Sequence, residues 1–594
     1  MMPKQIMSGD EAIARGAYEA GCSVAAAYPG TPSTEILENM ALYKNEIYCQ
    51  WACNEKVATE IACGASIGGA RSLAAMKHVG MNVATDPIFS IGYAGVNGGM
   101  VIVTADDPGC HSSQNEQDNR NYAPHAKIAM LEPSDSQECK DYTAMAFELS
   151  ERFDTPILLR VTTRVCHSKS VVELKERQQV EVKPYRRQTE KYAMLPATAR
   201  RRHLMREQLL QKMEEYSNQC PLNRFEWNEG SKIGVISSGI SYQHSREVFG
   251  DSASYLKLGL TYPLPGKMIE EFGRRCETIY VVEENDPYLE NAVRALGIPC
   301  IGKEKIPICG ELNAQIVREA LLNAPPPDAY QVDTKAPVRP PVLCAGCPHR
   351  GFFYTISKNL SKIVPVGDIG CYSLGVDAPF NGFDFSICMG AGLSAIIGLS
   401  KALELQGDSR KALGMLGDST FFHSGITSLI DIVTSEANVI ACILDNSITA
   451  MTGHQDNPGT TKNLMGLPSP AIDLDMVVRS TGIAKDRVRI VNPLDVTAML
   501  AAIADGIAVK GPFVIITKSP CILIKEVARA NAGKHCEIDA EKCKSCKMCV
   551  KIACPSLAYI DNKATIVDPV NCNACGLCLQ MCKFDAIKKV EVSI

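Results

Sequence analysis

Cysteines near the C-terminus are the residues whose spacing most narrowly limits the chemistry of this chain. The sequence runs CKSCKMCVKIACP from Cys543 and CNACGLCLQMCKF from Cys572. Each run is C-x2-C-x2-C followed by a fourth cysteine. This is the bacterial pattern for two [4Fe–4S] clusters, in which each fourth cysteine binds the other cluster. The predicted ligand sets are Cys543, Cys546, Cys549 and Cys582 for one cluster, and Cys572, Cys575, Cys578 and Cys554 for the other.

Zinc and buried free thiols are the alternatives for these eight cysteines. Thiolates suit zinc as well as iron–sulfur, but zinc usually takes its ligands as two pairs, which two triplets and two single cysteines do not match. Two details depart from the bacterial pattern: four residues rather than three separate Cys549 from Cys554, and Lys583 stands where a proline is usual. A one-residue bulge can absorb the insertion, so both predicted ligand sets stand.

A second group of polar residues ends two apolar segments within residues 413–446. The first segment ends in Gly417-Asp418-Ser419 and the second in Asp445-Asn446, with a helical stretch between them. As parallel strands, both would end at the carboxyl edge of one sheet, where open α/β folds bind ligands. Asp418 and Asn446 offer the oxygen ligands that Mg²⁺ prefers, and the helix after Gly417 would point its N-terminus at a phosphate. An ordinary strand–turn–helix segment is the competing interpretation.

These residues resemble the thiamine-diphosphate motif, in which GDG is followed, one helix and one strand later, by asparagine. Ser419 replaces the second glycine of that motif. The resemblance implies a thiamine diphosphate site formed by Gly417, Asp418, Ser419, Asn446 and Ile448. It also implies that Mg²⁺ is held by Asp418, Asn446 and the main chain of Ile448.

Two N-terminal segments, YPGTPSTE at 28–35 and NEKVATEIACGASIGG from Asn54, resemble the pyrimidine-binding domain of the 2-oxoacid:ferredoxin oxidoreductases. Glu55 stands nine residues before Gly64-Ala65, where that superfamily has a glutamate before a Gly-Ala turn. The resemblance implies that Glu55 is the catalytic carboxyl that activates the cofactor through its pyrimidine N1′. This role requires a buried carboxyl with a raised pKa, and Glu60 is the competing candidate.

Two residues are predicted to contact the substrate. Thr31, in the YPGTPS segment, matches the position that meets the substrate carboxylate in relatives. Arg120 lies in the polar segment DDPGCHSSQNEQDNRNYA and is predicted to form a bidentate pair with a carboxylate. The spacing from His111 to this arginine differs from that in the pyruvate enzymes, so His111 is either a substrate contact or an exposed loop residue.

Four more cysteines flank the thiamine motif. Cys344 and Cys347 lie in VLCAGCPHRG, Cys371 in GDIGCYSLG and Cys521 in ITKSPCILIK. They match the layout of a cluster close to the thiamine in the pyruvate enzymes of the superfamily, which implies a third, proximal [4Fe–4S] cluster. Scattered buried thiols are the alternative, because free cysteine packs as a small hydrophobic residue.

Alternating strand and helix patterns, with a charged break and a proline-rich break, divide the chain into five segments. The predicted fold class is α/β and multidomain, with two thiamine-diphosphate-binding-type parallel-sheet domains, a transketolase C-terminal-like α/β domain and a small ferredoxin-like α+β domain. The predicted segments are a pyrimidine-binding domain at 1–170, a charged connector with an exposed helix at 171–230, the transketolase-like domain at 231–330, a diphosphate-binding domain at 331–535 and the ferredoxin-type domain at 536–594. The clearest linker is the proline-rich stretch at 323–342.

In this order the segments resemble the alpha subunits of the indolepyruvate ferredoxin oxidoreductases. The resemblance implies oxidative decarboxylation of an arylpyruvate (indolepyruvate, phenylpyruvate or 4-hydroxyphenylpyruvate) on thiamine diphosphate, acyl transfer to CoA and reduction of ferredoxin. It also implies a small beta subunit and a dimer of heterodimers. One alternative is the same chemistry on pyruvate or a branched-chain 2-oxoacid. A non-oxidative thiamine decarboxylase would not need ferredoxin-type cysteines, and a non-catalytic electron-transfer subunit would not need Glu55, Asp418 and Asn446.

Composition excludes some partners. The net charge of −5 over 594 residues gives no case for a basic nucleic-acid-binding face. The N-terminus lacks the pattern of a signal peptide, and no apolar run reaches the roughly 18 residues that a membrane span requires. We therefore expect no membrane association and a cytoplasmic location. Disulfides are rare in that compartment, so the 26 cysteines point to metal or redox use.

Overall fold

The computed structural model describes residues 3–325 and 337–591. The chain divides into two units, Met1–Thr334 and Lys335–Ile594. Both units contain parallel sheets flanked by helices, so the predicted multidomain α/β fold is confirmed. The predicted boundary between 330 and 331 lies outside the described residues, as does the middle of the proline-rich linker.

The first unit contains thirteen strands and fourteen α-helices within residues 3–325, besides three short 3₁₀ helices. The strands are β1 (Lys4–Ser8), β2 (Val24–Ala27), β3 (Tyr48–Trp51), β4 (Ser72–Lys77), β5 (Met100–Asp106), β6 (Ala129–Leu131), β7 (Ile157–Thr162), β8 (Lys169–Glu173), β9 (Arg224–Glu226), β10 (Ile233–Ser238), β11 (Ser254–Leu258), β12 (Leu260–Tyr262) and β13 (Thr278–Val282). The helices are α1 (Gly9–Glu19), α2 (Thr34–Met40), α3 (Glu55–Ile67), α4 (His78–Val83), α5 (Thr85–Ala94), α6 (Tyr122–Ala126), α7 (Ser136–Arg152), α8 (Thr163–His167), α9 (Thr189–Tyr192), α10 (Pro196–Ser217), α11 (Gly239–Phe249), α12 (Gly266–Arg275), α13 (Tyr288–Ala295) and α14 (Ala314–Leu322).

A seven-stranded sheet with the order β12-β6-β7-β5-β4-β2-β3 lies at the centre of this unit. All its neighbouring strands are parallel except β12 and β6. Every residue of β5 is buried, as expected for a parallel strand that is covered by helices on both faces. The segments after the parallel strands β2, β3 and β5 therefore begin at the same edge, and they carry the predicted site residues Thr31, Glu55 and Arg120.

A second sheet in the first unit has the order β13-β10-β11-β9. β9 lies within the segment predicted as a charged connector, yet it pairs with β11, so this sheet begins before residue 231. After β11 the chain crosses at Gly259 to the first sheet, where β12 pairs with β6. The rest of the predicted connector contains α10, a mostly exposed helix.

The second unit is built on a five-stranded parallel sheet with the order β14-β15-β16-β18-β17. Its strands are β14 (Ile363–Val366), β15 (Lys411–Gly417), β16 (Val439–Asp445), β17 (Val488–Val491) and β18 (Phe513–Lys518). Its helices are α15 (His349–Ser357), α16 (Ala391–Gln406), α17 (Asp418–Thr420), which continues through a π-helical turn into α18 (Ile426–Thr434), then α19 (Leu474–Ser480), α20 (Val496–Ala508) and α21 (Lys525–Ala530).

The C-terminal segment forms two antiparallel strand pairs, β19 (Lys534–Ile538) with β22 (Ile587–Glu591) and β20 (Leu557–Ile560) with β21 (Lys563–Ile566). A short 3₁₀ helix at Cys549–Ile552 and α22 (Leu577–Gln580) complete it. This segment shares one hydrophobic core with α15 and α20, since Phe352 and Met499 belong to the same buried cluster as Leu577. The cysteine-rich segment is therefore packed onto the five-stranded domain within this unit.

No helix among the residues that the structure describes combines the length and the apolar content that a bilayer crossing needs.

Candidate active site and electron-transfer centres

Asp418 and Asn446 follow two adjacent parallel strands, β15 and β16, at the carboxyl edge of the second unit's sheet. One terminal atom of the Asn446 side-chain amide lies 2.7 Å from the carbonyl oxygen of Ile448 and 3.2 Å from Asp418 Oδ1. If this atom is nitrogen, it donates hydrogen bonds to both oxygens. If it is oxygen, three oxygen atoms converge at about the 3 Å separation expected between adjacent ligands of Mg²⁺. The three predicted ligands therefore fit a divalent cation.

Asp418 is a buried carboxyl with a second acidic side chain, that of Asp445, nearby. Burial raises its pKa to about 7, with a further contribution from the nearby charge of Asp445. Asn457 Nδ2 donates to Asp418 Oδ2 at 3.0 Å, which leaves Oδ1 directed at the Asn446 amide. A buried carboxylate of this kind is stabilised in its charged form by a neighbouring cation.

Ser419 and the loop after β14 shape the same edge of the sheet. Thr449 Oγ1 donates to Ser419 Oγ at 2.9 Å, so the serine in place of the motif's glycine fixes the segment that follows Asn446. Asp368, a fully buried residue that the sequence did not single out, accepts the backbone N–H groups of Gly390 at 2.9 Å and Gly392 at 2.7 Å. It thereby holds the turn that precedes α16 beside β15.

Glu55 opens α3 in the first unit, directly after Asn54, whose side chain accepts the N–H of Val57 at 2.9 Å. The Glu55 side chain is buried and its carboxyl group lies against the backbone of Gly80 in α4. Glu60, one turn later on the same helix, is exposed and forms an ion pair with Lys56. Of the two predicted candidates, only Glu55 has the desolvated setting that a catalytic carboxyl in this role requires.

Thr31 lies in the loop after β2, where its carbonyl oxygen accepts a hydrogen bond from Ser112 Oγ at 3.3 Å. Ser112 belongs to the loop after β5, so the two loops meet at the sheet edge. Lys77, the last residue of β4, donates from Nζ to the Ser112 carbonyl oxygen at 3.0 Å. Lys77 could not be identified from the sequence, because an isolated lysine at a strand end carries no motif.

Arg120 lies in the polar loop after β5, where its side chain is buried and bound to protein groups. Its side chain is 1% exposed and donates from Nη1 to Glu283 Oε2 at 2.6 Å and from Nε to Asp118 Oδ1 at 2.9 Å. Its Nη2 atom donates to the carbonyl oxygen of Glu284 at 2.8 Å. All three guanidinium nitrogens therefore bind protein acceptors, and the group joins the loop after β5 to the segment that follows β13. His111 is half exposed and lies 3.4 Å from Glu311.

The two C-terminal cysteine runs have the same backbone conformation. Ser545 and Lys547 in the first run have φ angles of 59° and 60°, and Ala574 and Gly576, at the equivalent positions of the second, have 52° and 89°. Alternation of left-handed residues with ordinary ones turns successive N–H groups into a concavity of the kind found at iron–sulfur sites. The local structure therefore fits clusters bound by both runs.

The first predicted ligand set lines a single cavity, which is bounded by Cys543, Cys546, Cys549 and Cys582. Burial raises the pKa of Cys549, and the neighbouring thiols of Cys546, Cys582 and Cys543 raise it further. These four thiols are thus within electrostatic range of one another despite their separation in sequence. One of them, Cys546, is exposed.

The second predicted ligand set is also brought together, with one addition. Burial raises the pKa of Cys575, and the thiols of Cys554 and Cys572 add to this. Cys536, a buried residue on β19, donates its backbone N–H to Cys572 Sγ at 3.3 Å, and its thiol contacts those of Cys572 and Cys578. Cys536 lies outside the motif, and only the pairing of β19 with β22 brings it here.

The four cysteines around the thiamine motif form a third group. Burial raises the pKa of Cys371 to about 12, and the thiols of Cys521 and Cys344 contribute. Burial also raises the pKa of Cys347, to which Cys344 and Cys371 add. The backbone N–H of Cys521 donates to the carbonyl oxygen of Asn446 at 2.9 Å, so this group begins at the cation site itself.

Arg350 lies between the third group and the C-terminal cysteines. It is 2% exposed and donates from Nε to the carbonyl oxygen of Cys344 at 2.8 Å and from Nη1 to that of Ile552 at 3.1 Å. Burial lowers its pKa, whereas the thiols of Cys554 and Cys347 oppose this effect. The second unit therefore contains three groups of thiols, of which one adjoins Asn446 and another includes the exposed Cys546.

Two family profiles match the chain. The profile described as "Pyruvate flavodoxin/ferredoxin oxidoreductase, thiamine diP-bdg" matches residues 15–229, and "Thiamine pyrophosphate enzyme, C-terminal TPP binding domain" matches residues 368–517. The indolepyruvate oxidoreductase subunit IorA of Archaeoglobus fulgidus is 40% identical over 99% of this chain and 98% of its own length. The IorA subunit of Pyrococcus horikoshii is 38% identical over 99% of this chain and 97% of its own length.

The chain belongs to the IorA family. As an IorA-family protein it is an oxidoreductase subunit of the thiamine-diphosphate-dependent 2-oxoacid:ferredoxin oxidoreductase type. The predicted cofactor thiamine diphosphate and the predicted superfamily are thereby confirmed. The IorA family also has more distant relatives, such as the 2-oxoglutarate synthase subunit KorA of Methanothermobacter thermautotrophicus, which is 25% identical over 48% of this chain and 89% of its own length.

Proposed function

We propose that this chain is the catalytic subunit of an indolepyruvate ferredoxin oxidoreductase. It would convert arylpyruvates (indolepyruvate, phenylpyruvate and 4-hydroxyphenylpyruvate) and CoA to the arylacetyl-CoA, CO₂ and reduced ferredoxin. The observation that carries the proposal is the presence in one unit of three cysteine groups, of which one adjoins Asn446 and another includes an exposed thiol. A non-oxidative thiamine enzyme would not need such groups.

Glu55 is proposed as the catalytic carboxyl. Thiamine diphosphate, when bound, supplies an electron sink that lets a 2-oxoacid lose CO₂. The buried Glu55 carboxyl would form a hydrogen bond with the pyrimidine N1′ atom of the bound cofactor. Its place at the first position of α3, against Gly80, restricts the directions in which the carboxyl can turn.

Asp418, Asn446 and the carbonyl of Ile448 are proposed to hold Mg²⁺, and Gly417 and Ser419 to complete the diphosphate site. The cation would offset the charge of the diphosphate and fix its position at the sheet edge. The ligand oxygens come from two neighbouring strands, so the rigid sheet sets their spacing.

Three [4Fe–4S] clusters are proposed on the cysteine groups described above. The first is held by Cys344, Cys347, Cys371 and Cys521, the second by Cys572, Cys575, Cys578 and Cys554, and the third by Cys543, Cys546, Cys549 and Cys582. Such clusters supply one-electron carriers. Arg350 would fix the first group relative to the second through its bonds to the carbonyls of Cys344 and Ile552.

The proposed partners are a small beta subunit, ferredoxin as electron acceptor, and CoA as the second substrate, in a dimer of heterodimers. The subunit names of the IorA relatives support a multi-subunit assembly. Pyruvate and branched-chain 2-oxoacids are the alternative substrates.

The test is an anaerobic preparation of the chain with its small subunit, assayed for CoA-dependent viologen reduction. Indolepyruvate, phenylpyruvate, pyruvate and 2-oxoglutarate should be compared, and the arylpyruvates should give the highest kcat/KM. Glu55→Gln should reduce the rate by roughly 100-fold or more, while Glu60→Gln, which changes an exposed glutamate on the same helix, should leave it unchanged. Full activity of Glu55→Gln would contradict its catalytic role, and reduction driven best by pyruvate would contradict the substrate class.

A further inference from the structure

Lys77 is the last residue of β4, which lies between β2 and β5 in the seven-stranded sheet. The loop after β2 contains Thr31, and the loop after β5 contains Ser112. Lys77 therefore stands at the middle of the carboxyl edge, where ligands of parallel sheets bind.

The contacts of Lys77 hold its side chain in a defined direction. Its stem packs against Gly30, since a methyl group at Gly30 would stand 3.0 Å from Lys77 Cδ and 3.1 Å from Cγ. Its Nζ donates to the carbonyl oxygen of Ser112 at 3.0 Å, and Ser112 Oγ donates to the carbonyl oxygen of Thr31 at 3.3 Å. The ammonium group is thus held next to the Thr31 loop.

Lys77 carries a charge that the described parts of the chain do not neutralise by direct contact. Within residues 3–325 and 337–591, no ion pair involves its Nζ, and its one hydrogen bond goes to a neutral carbonyl. The nearby carboxylate of Asp107 instead accepts bonds from Ser112 N at 2.8 Å, Ser113 Oγ at 2.7 Å and Thr163 Oγ1 at 2.8 Å. Burial lowers the pKa of Lys77, although Asp107 and Glu55 counteract this.

An ammonium group has three N–H donors. One donor of Lys77 is bonded to the Ser112 carbonyl, so two remain for a ligand. A partly desolvated cation at a ligand-binding edge gains most from an anionic acceptor, because charge-assisted hydrogen bonds are the strong ones. The diphosphate is proposed on Asp418, Asn446 and Ile448 of the second unit, so the test below must distinguish it from a substrate carboxylate at Lys77.

We propose that Lys77 binds the carboxylate of the 2-oxoacid substrate. This inference rests on the proposed function and gives Lys77 the role predicted for Arg120, whose guanidinium nitrogens all bind protein acceptors. The ammonium group of Lys77 and the loop that carries Thr31 would together hold a single carboxylate.

The test uses the full-length chain with its small subunit, loaded with cofactors, and measures binding by calorimetry. The probes are indole-3-propionate and its amide, which differ in the carboxylate charge and cannot turn over. The wild type should bind the carboxylate roughly 10- to 100-fold more tightly than the amide, and Lys77→Met should reduce this preference to less than about 3-fold. Lys77→Arg should recover part of it. Lys183→Met, which removes a lysine bonded to the carbonyl of Asn97 at 2.9 Å and paired with Glu151, is the matched control.

An unchanged preference in Lys77→Met would overturn the inference. So would an equal loss of thiamine diphosphate affinity, because that result would assign Lys77 to the diphosphate. The proposed function fails on a different observation: a wild type that binds the probe but reduces no viologen with any 2-oxoacid.

Discussion

A methyl group added at Gly80 should slow cofactor activation without changing the chemistry of Glu55. The β-carbon of Gly80→Ala would stand 2.6 Å from Glu55 Oε1, 2.7 Å from Cγ and 2.9 Å from Cδ, whereas ordinary contact begins near 3.4 Å. The Glu55 side chain must therefore withdraw by about 0.5 to 0.8 Å. A displacement of about 1 Å at a reacting group can cost roughly 100-fold in rate, so we expect a loss of roughly 10- to 100-fold.

The direct assay is the exchange of the thiazolium C2 proton for deuterium in the thiamine-loaded protein, followed by quenched flow and NMR. This exchange reports cofactor activation by Glu55 alone, independently of substrate and of the clusters. The free energy of unfolding should fall by about 1 to 3 kcal/mol, the usual cost of overpacking.

Gly64→Ala is the matched control, because Gly64 lies on the exposed face of the same helix as Glu55 and a methyl group there meets no atom within 4 Å. This change should stabilise the helix by about 0.5 to 1 kcal/mol and leave exchange unchanged. Wild-type exchange in a folded, thiamine-loaded Gly80→Ala protein would refute the placement of Glu55 as the activating carboxyl.

Two further predictions concern the cation site and the second cluster. Asp418→Ala should weaken retention of thiamine diphosphate by roughly 100-fold, because it removes a carboxylate that would bind the cation. The measurement is the cofactor content after gel filtration at fixed Mg²⁺. The control is Asp431→Ala, which changes an exposed residue of α18 and should retain the cofactor. Cys554→Ser should lose or convert one cluster, seen as a lower iron content and a changed electron paramagnetic resonance spectrum. Cys536→Ser should keep the full iron content, since Cys536 contacts the ligand cysteines without belonging to the motif; the reverse result would exchange the two assignments.

The N-terminal half shows why some site residues need the fold to be found. Glu55 and Glu60 both lie on one helix, and their difference in burial comes from the α4 backbone at Gly80, which is distant in sequence. Arg120 lies in a polar loop, as many substrate-binding arginines do, yet its partners Glu283 and Glu284 come from the segment that follows β13. No local pattern in the loop could reveal that these two residues would accept the hydrogen bonds of the Arg120 guanidinium group.

The strands show the same limit at the level of the fold. The long apolar segments of β15 and β16 are evident from the sequence, because a buried parallel strand consists of consecutive apolar residues. The three-residue strands β9 and β12 are too short to carry such a pattern. In addition, β12 does not pair with β11, the strand before it, but with β6 of the seven-stranded sheet. As a result, the predicted start of the second sheet at residue 231 came too late.

The sequence by itself predicted the cysteine ligand sets and the cation ligands, because these predictions depend on short spacings and on strand ends that lie next to each other in a parallel sheet. The tertiary structure decided which carboxyl is buried, that Lys77 forms no ion pair with the described residues, and that Cys536 contacts Cys572 and Cys578. Burial and charge pairing depend on residues brought together from distant parts of the chain, and such contacts leave no local pattern in the sequence.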